Sequence, residues 1–308
     1  MTCFNAMNKI YDMLIVGGGP GGYTAALYAA RAGLTVAVLE KLAAGGQMAQ
    51  TPQIDNYPGM PQGVDGFTLG QQMQSQAEQF GAETFPVEVT KLQLHGKIKV
   101  AETTNGIFRS KTLVLATGAD PKRLGVPGED ALIGRGVHYC AACDGMFYRG
   151  KTVAVVGGGN TAAADVLLLS RIAKKVILIH RRDTLRASRV YHKTLQEAEN
   201  VEFYWNSAVT EIAPGQLTVQ NLVSGEKTAL ACDGVFIAIG RQPATSLLEG
   251  QLPLDEQGYI RADESTATEI PGVFAVGDVR TKAVRQIVTA VADGAAAAYA
   301  AEEYLATK

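Results

Sequence analysis

Asp12-Met13-Leu14-Ile15-Val16-Gly17-Gly18-Gly19-Pro20-Gly21-Gly22 begins as an apolar strand and ends as a glycine turn. An apolar helix follows from Tyr23 to Ala32, then a second strand, Thr35 to Leu39, which closes on Glu40. The order is strand, G-x-G-x-x-G, helix, strand, acid. Gly17 permits the tight turn, Gly19 lets a pyrophosphate approach the backbone, and Gly22 lets the helix pack on the strand. The helix N-terminus then turns unpaired N–H groups and a partial positive charge toward the phosphates. Glu40 can accept from both ribose hydroxyls. With strands and acid in register, the stretch predicts a dinucleotide site.

The pattern restarts further on. Thr152 to Val156 reads as a strand, Gly157-Gly158-Gly159-Asn160-Thr161-Ala162 is G-x-G-x-x-A, and a helix runs to about Ala173. The next strand, Val176 to Ile179, ends in no acid but in His180-Arg181-Arg182-Asp183-Thr184-Leu185-Arg186. An acid grips a bare ribose, whereas an arginine cluster grips a phosphate attached to it. Each charged hydrogen bond is worth about 1.5–3 kcal/mol, so two or three arginines supply a preference of several powers of ten.

Between the two signatures stands Cys140-Ala141-Ala142-Cys143-Asp144. Two cysteines at this spacing, with an acid beside them, form a redox couple more readily than a structural staple. The other two cysteines, Cys3 and Cys232, read as lone thiols without special chemistry. A zinc site at the pair would need two more ligands; His138 is near in sequence, but no second pair exists, so no metal is expected.

The remaining chain supplies context. Gly45-Gly46-Gln47 through Asn56-Tyr57-Pro58-Gly59 is a long irregular stretch, which inside a compact domain is usually functional. An amphipathic helix is expected near Gly66 to Phe80, then strands at Phe85–Thr90, Lys97–Glu102, Gly106–Arg109 and Thr112–Ala116, the last opening into Thr117-Gly118-Ala119. Pro/Gly-rich crossings at Asp120–Gly128 and Gly240–Pro243 mark boundaries. Strands are expected at Val201–Trp205, Ala208–Ile212, Leu217–Leu222 and Val235–Ile239. Near the end, Gly272-Val273-Phe274-Ala275-Val276-Gly277-Asp278 can place a carboxylate on a ribose or ribityl hydroxyl. The alanine-rich helix beyond it can point its dipole at a flavin ring. The fold class is therefore α/β: two Rossmann-like dinucleotide-binding domains, the second inserted into the first. The outer one comprises residues 1–117 and 245–308, the inner one 118–244, joined by two crossings as a hinge requires.

The chain's 308 residues fit about two domains. With 47% hydrophobic residues, 19% charged and a net charge of −2, there is ample core and no electrostatic reason to expect nucleic acid or an anionic membrane. No apolar run reaches the ~18 residues of a membrane span. The first dozen residues lack the features of a secretion signal, so the chain reads as cytoplasmic.

From Tyr11 to Leu305 the sequence resembles the low-molecular-weight thioredoxin reductases of bacterial type. The resemblance is carried by Cys140-Ala-Ala-Cys143-Asp144-Gly145, His180-Arg-Arg-Asp-Thr-Leu-Arg186, and Gly277-Asp278 followed by Arg285-Gln286. It implies an NADPH-dependent homodimer. FAD would lie in the outer domain, against Gly17, Gly19, Pro20, Gly22, Glu40, Lys41, Gly46, Gln47, Asn56, Val89, Ala116, Thr117, Gly118, Gly277, Asp278, Arg285, Gln286 and Ile287. NADPH would lie in the inner domain, against Gly157, Gly159, Asn160, Thr161, His180, Arg181, Arg182 and Arg186. The inner domain of the family swings, so that nicotinamide and disulfide visit the flavin in turn. Arg135, Met146 and Phe147 fall where family members dock thioredoxin. Leu185, Met146 and Pro243-Ala244-Thr245 depart from frequent family residues without removing a catalytic group.

The resemblance also assigns roles. Cys143 faces the flavin and Cys140 leaves as thiolate. The charge of Asp144 would hinder a neighbouring thiolate, which makes it a poor activator and a better general acid. A free thiol with a pKa of about 8.5 is only a few per cent ionised at neutral pH, so Cys140 needs local help. His138 is a candidate, against the plainer reading of a loop residue. Rival readings are a reductase of another small dithiol protein and a redox sensor that binds both cofactors without turnover. A ferredoxin-dependent relative would be expected to lack the arginine cluster.

Overall fold

The computed structural model describes residues 9–307, and Cys3 lies outside them. The chain divides into two units, Met1–Asp120 with Gln242–Lys308, and Pro121–Arg241. The two crossings, Ala119–Pro121 and Arg241–Pro243, pair with each other as a ribbon.

The first unit is built on the parallel strands Glu83–Pro86, Val36–Glu40, Ile10–Val16 and Gly106–Leu115, in that spatial order. Gly106–Leu115 is long enough to serve two partners along one edge. Its first half pairs antiparallel with Lys99–Thr103, and its last residues pair parallel with Val273–Ala275. Sequence pattern predicts two strands here, Gly106–Arg109 and Thr112–Ala116, but they are one. Ser110 and Lys111 offer no turn chemistry, and the alternation continues through them, Ser110 buried and Lys111 exposed. The expected strand Phe85–Thr90 is in turn two, Glu83–Pro86 and Val89–Gln93, which part company at Val87.

Two helices cover one face of this sheet, Pro20–Arg31 and Ile287–Ala306. The alanines of the second (Ala297, Ala298, Ala301) are buried with Ala25, Ala26 and Ala29 of the first. Gly294 has no room for a side chain beside the backbone of Gly21 and Ala25, so the helices cross almost backbone to backbone. The N-terminus of Pro20–Arg31 and the ends of three parallel strands are thereby fixed at one edge.

The second unit repeats the scheme. Val201–Tyr204, Lys175–Ile179, Thr152–Val156, Gly234–Ile237 and Val137–His138 form an all-parallel sheet in that order. An antiparallel meander, Ser207–Ala213, Gln216–Asn221 and Lys227–Ala231, makes the crossover. The central strands Thr152–Val156 and Lys175–Ile179 are apolar and buried after their first residue, as two-sided burial requires. Helix Asn160–Ser170 packs Ala162, Ala163, Val166 and Leu169 into the core. Helix Arg189–Gln196 and strand Lys227–Ala231 have no sequence-level signal: each buries a single residue, Leu195 and Leu230.

Candidate active site

In the first unit, the carboxylate of Glu40 is held by backbone at the strand end. Oε2 accepts from the Gly18 N–H at 2.6 Å and Oε1 from the Leu42 N–H at 2.9 Å. Gly17 has a φ of +108°, and a side chain there would strike the Ala116 carbonyl. One at Gly22 would strike the carbonyl of Gly17, whereas nothing lies within 4 Å of a β-carbon at Gly19. A turn packed tightly at both ends and open in the middle, above a helix N-terminus begun by Pro20, fits a pyrophosphate.

Gly45 and Gly46 meet the same turn, and other predicted residues are tied to their own neighbours beyond it. The Gly45 N–H donates to the Gly18 carbonyl at 2.8 Å, and a β-carbon on Gly46 would lie 3.6 Å from the Cα of Gly19. Gln47 Nε2 donates to the Ala119 carbonyl and to Asp120 Oδ1. Thr117 Oγ1 donates to the Ala244 carbonyl at 2.8 Å, and the Ala244 N–H returns a bond to the Gly118 carbonyl. Asn56 Nδ2 donates to Gln286 Oε1 at 3.1 Å. Gln286 caps the helix that starts at Ile287, its N–H donating to Thr289 Oγ1. Arg285 lies over the Tyr259 ring at 4.0 Å and bonds the carbonyls of Asp278 and Arg280. Two predicted residues stand apart from the turn. Lys41 is exposed, 3.8 Å from Glu88, and Val89 is sunk in the core cluster with Leu39 and Val87.

In the second unit, Gly157 has a φ of +156°, and a side chain there would meet the Ala238 carbonyl. Gly159 is again open on its free side. The Gly158 carbonyl accepts from the N–H groups of Arg186 and Ala187, and Asn160 Oδ1 accepts from the Ser188 N–H at 2.7 Å. These bonds tie the basic loop to the turn. Leu185 and Ala187 are buried while Arg181, Arg182 and Arg186 are exposed, so the loop is anchored by its apolar residues and presents its cationic ones. Leu185 performs this anchoring within the core of the second unit. The His180 ring lies on Gly158, its Nε2 buried without a hydrogen-bond partner among the described residues. Burial, then Arg186, Arg182 and Arg181, hold its pKa below the usual histidine value. A neutral imidazole among three guanidinium groups leaves their charge for an anion.

Cys140 and Cys143 are joined in a disulfide, with Cys140 capping the single helical turn Ala141–Asp144. Both are half-buried, and Met146 and Phe147 follow them exposed, as is Arg135.

These features agree with known proteins. The sequence profile of the pyridine nucleotide-disulphide oxidoreductases matches residues 11–294. The chain belongs to that family. A thioredoxin reductase of Streptomyces coelicolor is 44% identical over 307 residues, covering 97% of this chain and 95% of its own. A bifunctional thioredoxin reductase/thioredoxin of Mycobacterium leprae is 41% identical, covering 99% of this chain and 68% of its own. The crystal structure of a thioredoxin reductase from Streptococcus pyogenes superposes with a TM-score of 0.92 at 42% identity, over 98% of this chain and 100% of its own. This oxidoreductase has two dinucleotide-binding folds and a paired Cys140–Cys143.

Two groups in this oxidoreductase carry no motif. Asp293, in the alanine-rich helix, accepts from the Gly277 N–H at 2.8 Å, from Arg280 at 2.6 and 2.9 Å, and from Lys282 at 2.7 Å. Burial alone would push this carboxyl up, but the bonds from Arg280, Lys282 and Gly277 together hold it below the ordinary carboxylate value. It fixes the Gly277-Asp278 turn from beneath. The sequence signal for it is an acid within the alanine-rich part of the helix, ahead of Glu302 and Glu303. The second group is His138. It is no loop residue: it ends a buried strand, with Nδ1 3.0 Å from Asp144 Oδ2 and Nε2 2.7 Å from Tyr148 Oη.

Proposed function

We propose that this oxidoreductase passes electrons from NADPH through FAD to Cys140–Cys143, and from there to the disulfide of a thioredoxin. The observation that carries the reading is the disulfide beside Asp144, in the same unit as a glycine turn whose next strand ends in three exposed arginines. The names of the relatives support thioredoxin as the partner, and the Mycobacterium leprae protein joins the two activities in one name.

Gly17, Gly19, Pro20, Gly22, Glu40, Gly46 and Gln47, with Asp278 and the helix start at Ile287, would hold FAD. Gly157, Gly159, Asn160, Thr161 and the His180–Arg186 loop would hold NADPH. FAD held there would supply the chemistry that links hydride transfer from a nicotinamide to two-electron reduction of a disulfide. The chain's own residues do the rest. Cys143 receives the electrons, the S–S bond breaks, and Cys140 departs with the bonding pair. Asp144 gives the departing sulfur a proton. Cys140 then attacks the partner's disulfide, with exposed Met146, Phe147 and Arg135 as the docking surface. A homodimer in the cytoplasm belongs to the same proposal.

The test is NADPH oxidation by purified protein with and without oxidised thioredoxin, repeated with NADH. Consumption should depend on thioredoxin, and kcat/KM for NADH should be lower by a factor of roughly 100 or more, the lower end for two charged hydrogen bonds. Protein that cannot be loaded with FAD, or that uses NADH equally well, would overturn the reading.

A further inference from the structure

Strand Val137–His138 pairs with Gly234–Ile237 and carries the His138 ring beneath the disulfide turn. The ring is 6% exposed and stacked on Phe236, centroids 5.2 Å apart at 27°. Both of its nitrogens are engaged, one by Asp144 and one by Tyr148. Burial, with the nearby charges of Asp144, Asp233 and Cys232, pushes the Tyr148 phenol up to about 12. Tyr148 therefore keeps its proton in the neutral range, and its O–H can donate to Nε2 at 2.7 Å. A neutral imidazole that accepts at Nε2 carries its own proton on Nδ1, where it faces Asp144 Oδ2. In that arrangement Tyr148 sets the tautomer, and the 3.0 Å approach of Nδ1 to Oδ2 sets which carboxyl oxygen of Asp144 it meets.

We propose that His138 is the positioning residue for Asp144: Nδ1–H holds Oδ2, so that the transferable proton sits on Oδ1. The inference rests on the reading of Asp144 as the acid of the sulfur pair. As two electrons enter at Cys143 and the S–S bond breaks, Cys140 takes the bonding pair and the Oδ1 proton. The carboxylate left behind keeps its hydrogen bond from Nδ1–H, which stabilises the new charge. The groups facing this chain are Asp144 and Tyr148 from the turn after the pair, Asp233 and Cys232 beside the strand of Phe236, and Lys151, 5.5 Å from the Tyr148 ring. Phe236 closes the remaining side, and among the described residues the ring's hydrogen-bond partners are Asp144 and Tyr148.

The experiment compares His138→Leu, His138→Asn, Tyr148→Phe and Asp144→Asn as FAD-loaded enzymes. Read out are the single-turnover rate of flavin reduction by NADPH, kcat and KM for thioredoxin, and the pH–kcat profile. His138→Leu should lower kcat by ~10–100-fold, part of the 10²–10⁴ that general acid catalysis supplies. Flavin reduction and KM should stay unchanged. The alkaline limb of the profile should move to higher pH, because a donor that favours the carboxylate has gone. His138→Asn keeps a donor near Nδ1 and should restore most of the rate. Tyr148→Phe frees the tautomer and should fall between the two. If Asp144→Asn reduces thioredoxin at the normal rate, the acid assignment fails and this inference with it. If Asp144→Asn is slow while His138→Leu and Tyr148→Phe match the parent in kcat and pH profile, the acid stands and the positioning role is overturned. Should His138→Leu not fold, the near-isosteric His138→Asn and Tyr148→Phe decide: a normal profile in Tyr148→Phe contradicts the proposal.

Discussion

Gly18 and Gly158 hold the same place in their two turns, but different side chains pack over them. The methylenes of Glu40 lie 3.1 Å from where a β-carbon on Gly18 would stand, and the His180 ring fills the corresponding space at Gly158. In the first unit the Gly18 N–H is taken by the Glu40 carboxylate. In the second an uncharged imidazole occupies that position, and exposed arginines follow it. Both second glycines use their carbonyl alike, to anchor the loop beyond the second strand, through Gly45 in one unit and Arg186 with Ala187 in the other. Sheet order and turn are thus the shared part. On the proposed reading, Glu40 in one unit and the loop of Arg181, Arg182 and Arg186 in the other would carry the choice of dinucleotide, because a ribose and its substituents would fall beyond the end of the second strand.

The largest effects should come from filling the turns. Gly17→Val adds a clash with the Ala116 carbonyl to an unfavourable positive φ, and should leave protein without bound flavin, read from its visible spectrum. Gly157→Val should keep the flavin and lose NADPH affinity by more than ~100-fold in a binding titration, as expected when backbone can no longer meet the phosphates. If either variant lost both ligands, the two turns would not be the independent devices described.

Asp293 belongs to the first unit alone, in the helix that follows its last strand. Asp293→Asn removes the charge between Arg280 and Lys282 and should destabilise that unit by about 3 kcal/mol in urea unfolding, the lower end for a broken buried ion pair. Its native carboxyl titrates below its unfolded value of 3.8, so the stabilisation is complete above that pH and lost as pH falls through the native value. Parent protein should therefore lose stability more steeply than Asp293→Asn on acidification below about pH 4. Parallel acid curves would contradict this.

Smaller still is each arginine taken singly. Arg181→Ala, Arg182→Ala and Arg186→Ala should each reduce kcat/KM for NADPH by ~10–100-fold, at about 1.5–3 kcal/mol per charged bond, and leave NADH nearly unaffected. Equal losses with both would make the loop a general anion surface. At the bottom of the scale, Glu202→Ala breaks an exposed pair with Lys175 and should shift stability by less than about 1 kcal/mol.

Much of this was legible in the chain because glycine turns are local. A strand, a positive φ at Gly17 or Gly157, and the residue ending the next strand all fall within one short window. Inserting one fold into the other was legible for the same reason, since the pattern restarts before the first sheet has received its last strand, Val273–Ala275. What could not be read were contacts made by tertiary packing. Asp293 meets Gly277 only because the last helix folds back on the turn it follows. His138 meets Asp144 and Tyr148 only because a two-residue strand is drawn into the sheet beside Phe236. Helix Arg189–Gln196 was hidden by its polarity, as only Leu195 reaches the core.

The central claim is that one flavin mediates between NADPH and the sulfurs of Cys140 and Cys143. Anaerobic titration with NADPH, following flavin absorbance and free thiols together, tests it most directly. Parent protein should take up twice the reducing equivalents of Cys143→Ser, and should expose new thiols that the variant does not, while the flavin of both is reduced. Equal uptake by the two proteins, or flavin reduction that never yields thiols in the parent, would contradict the account.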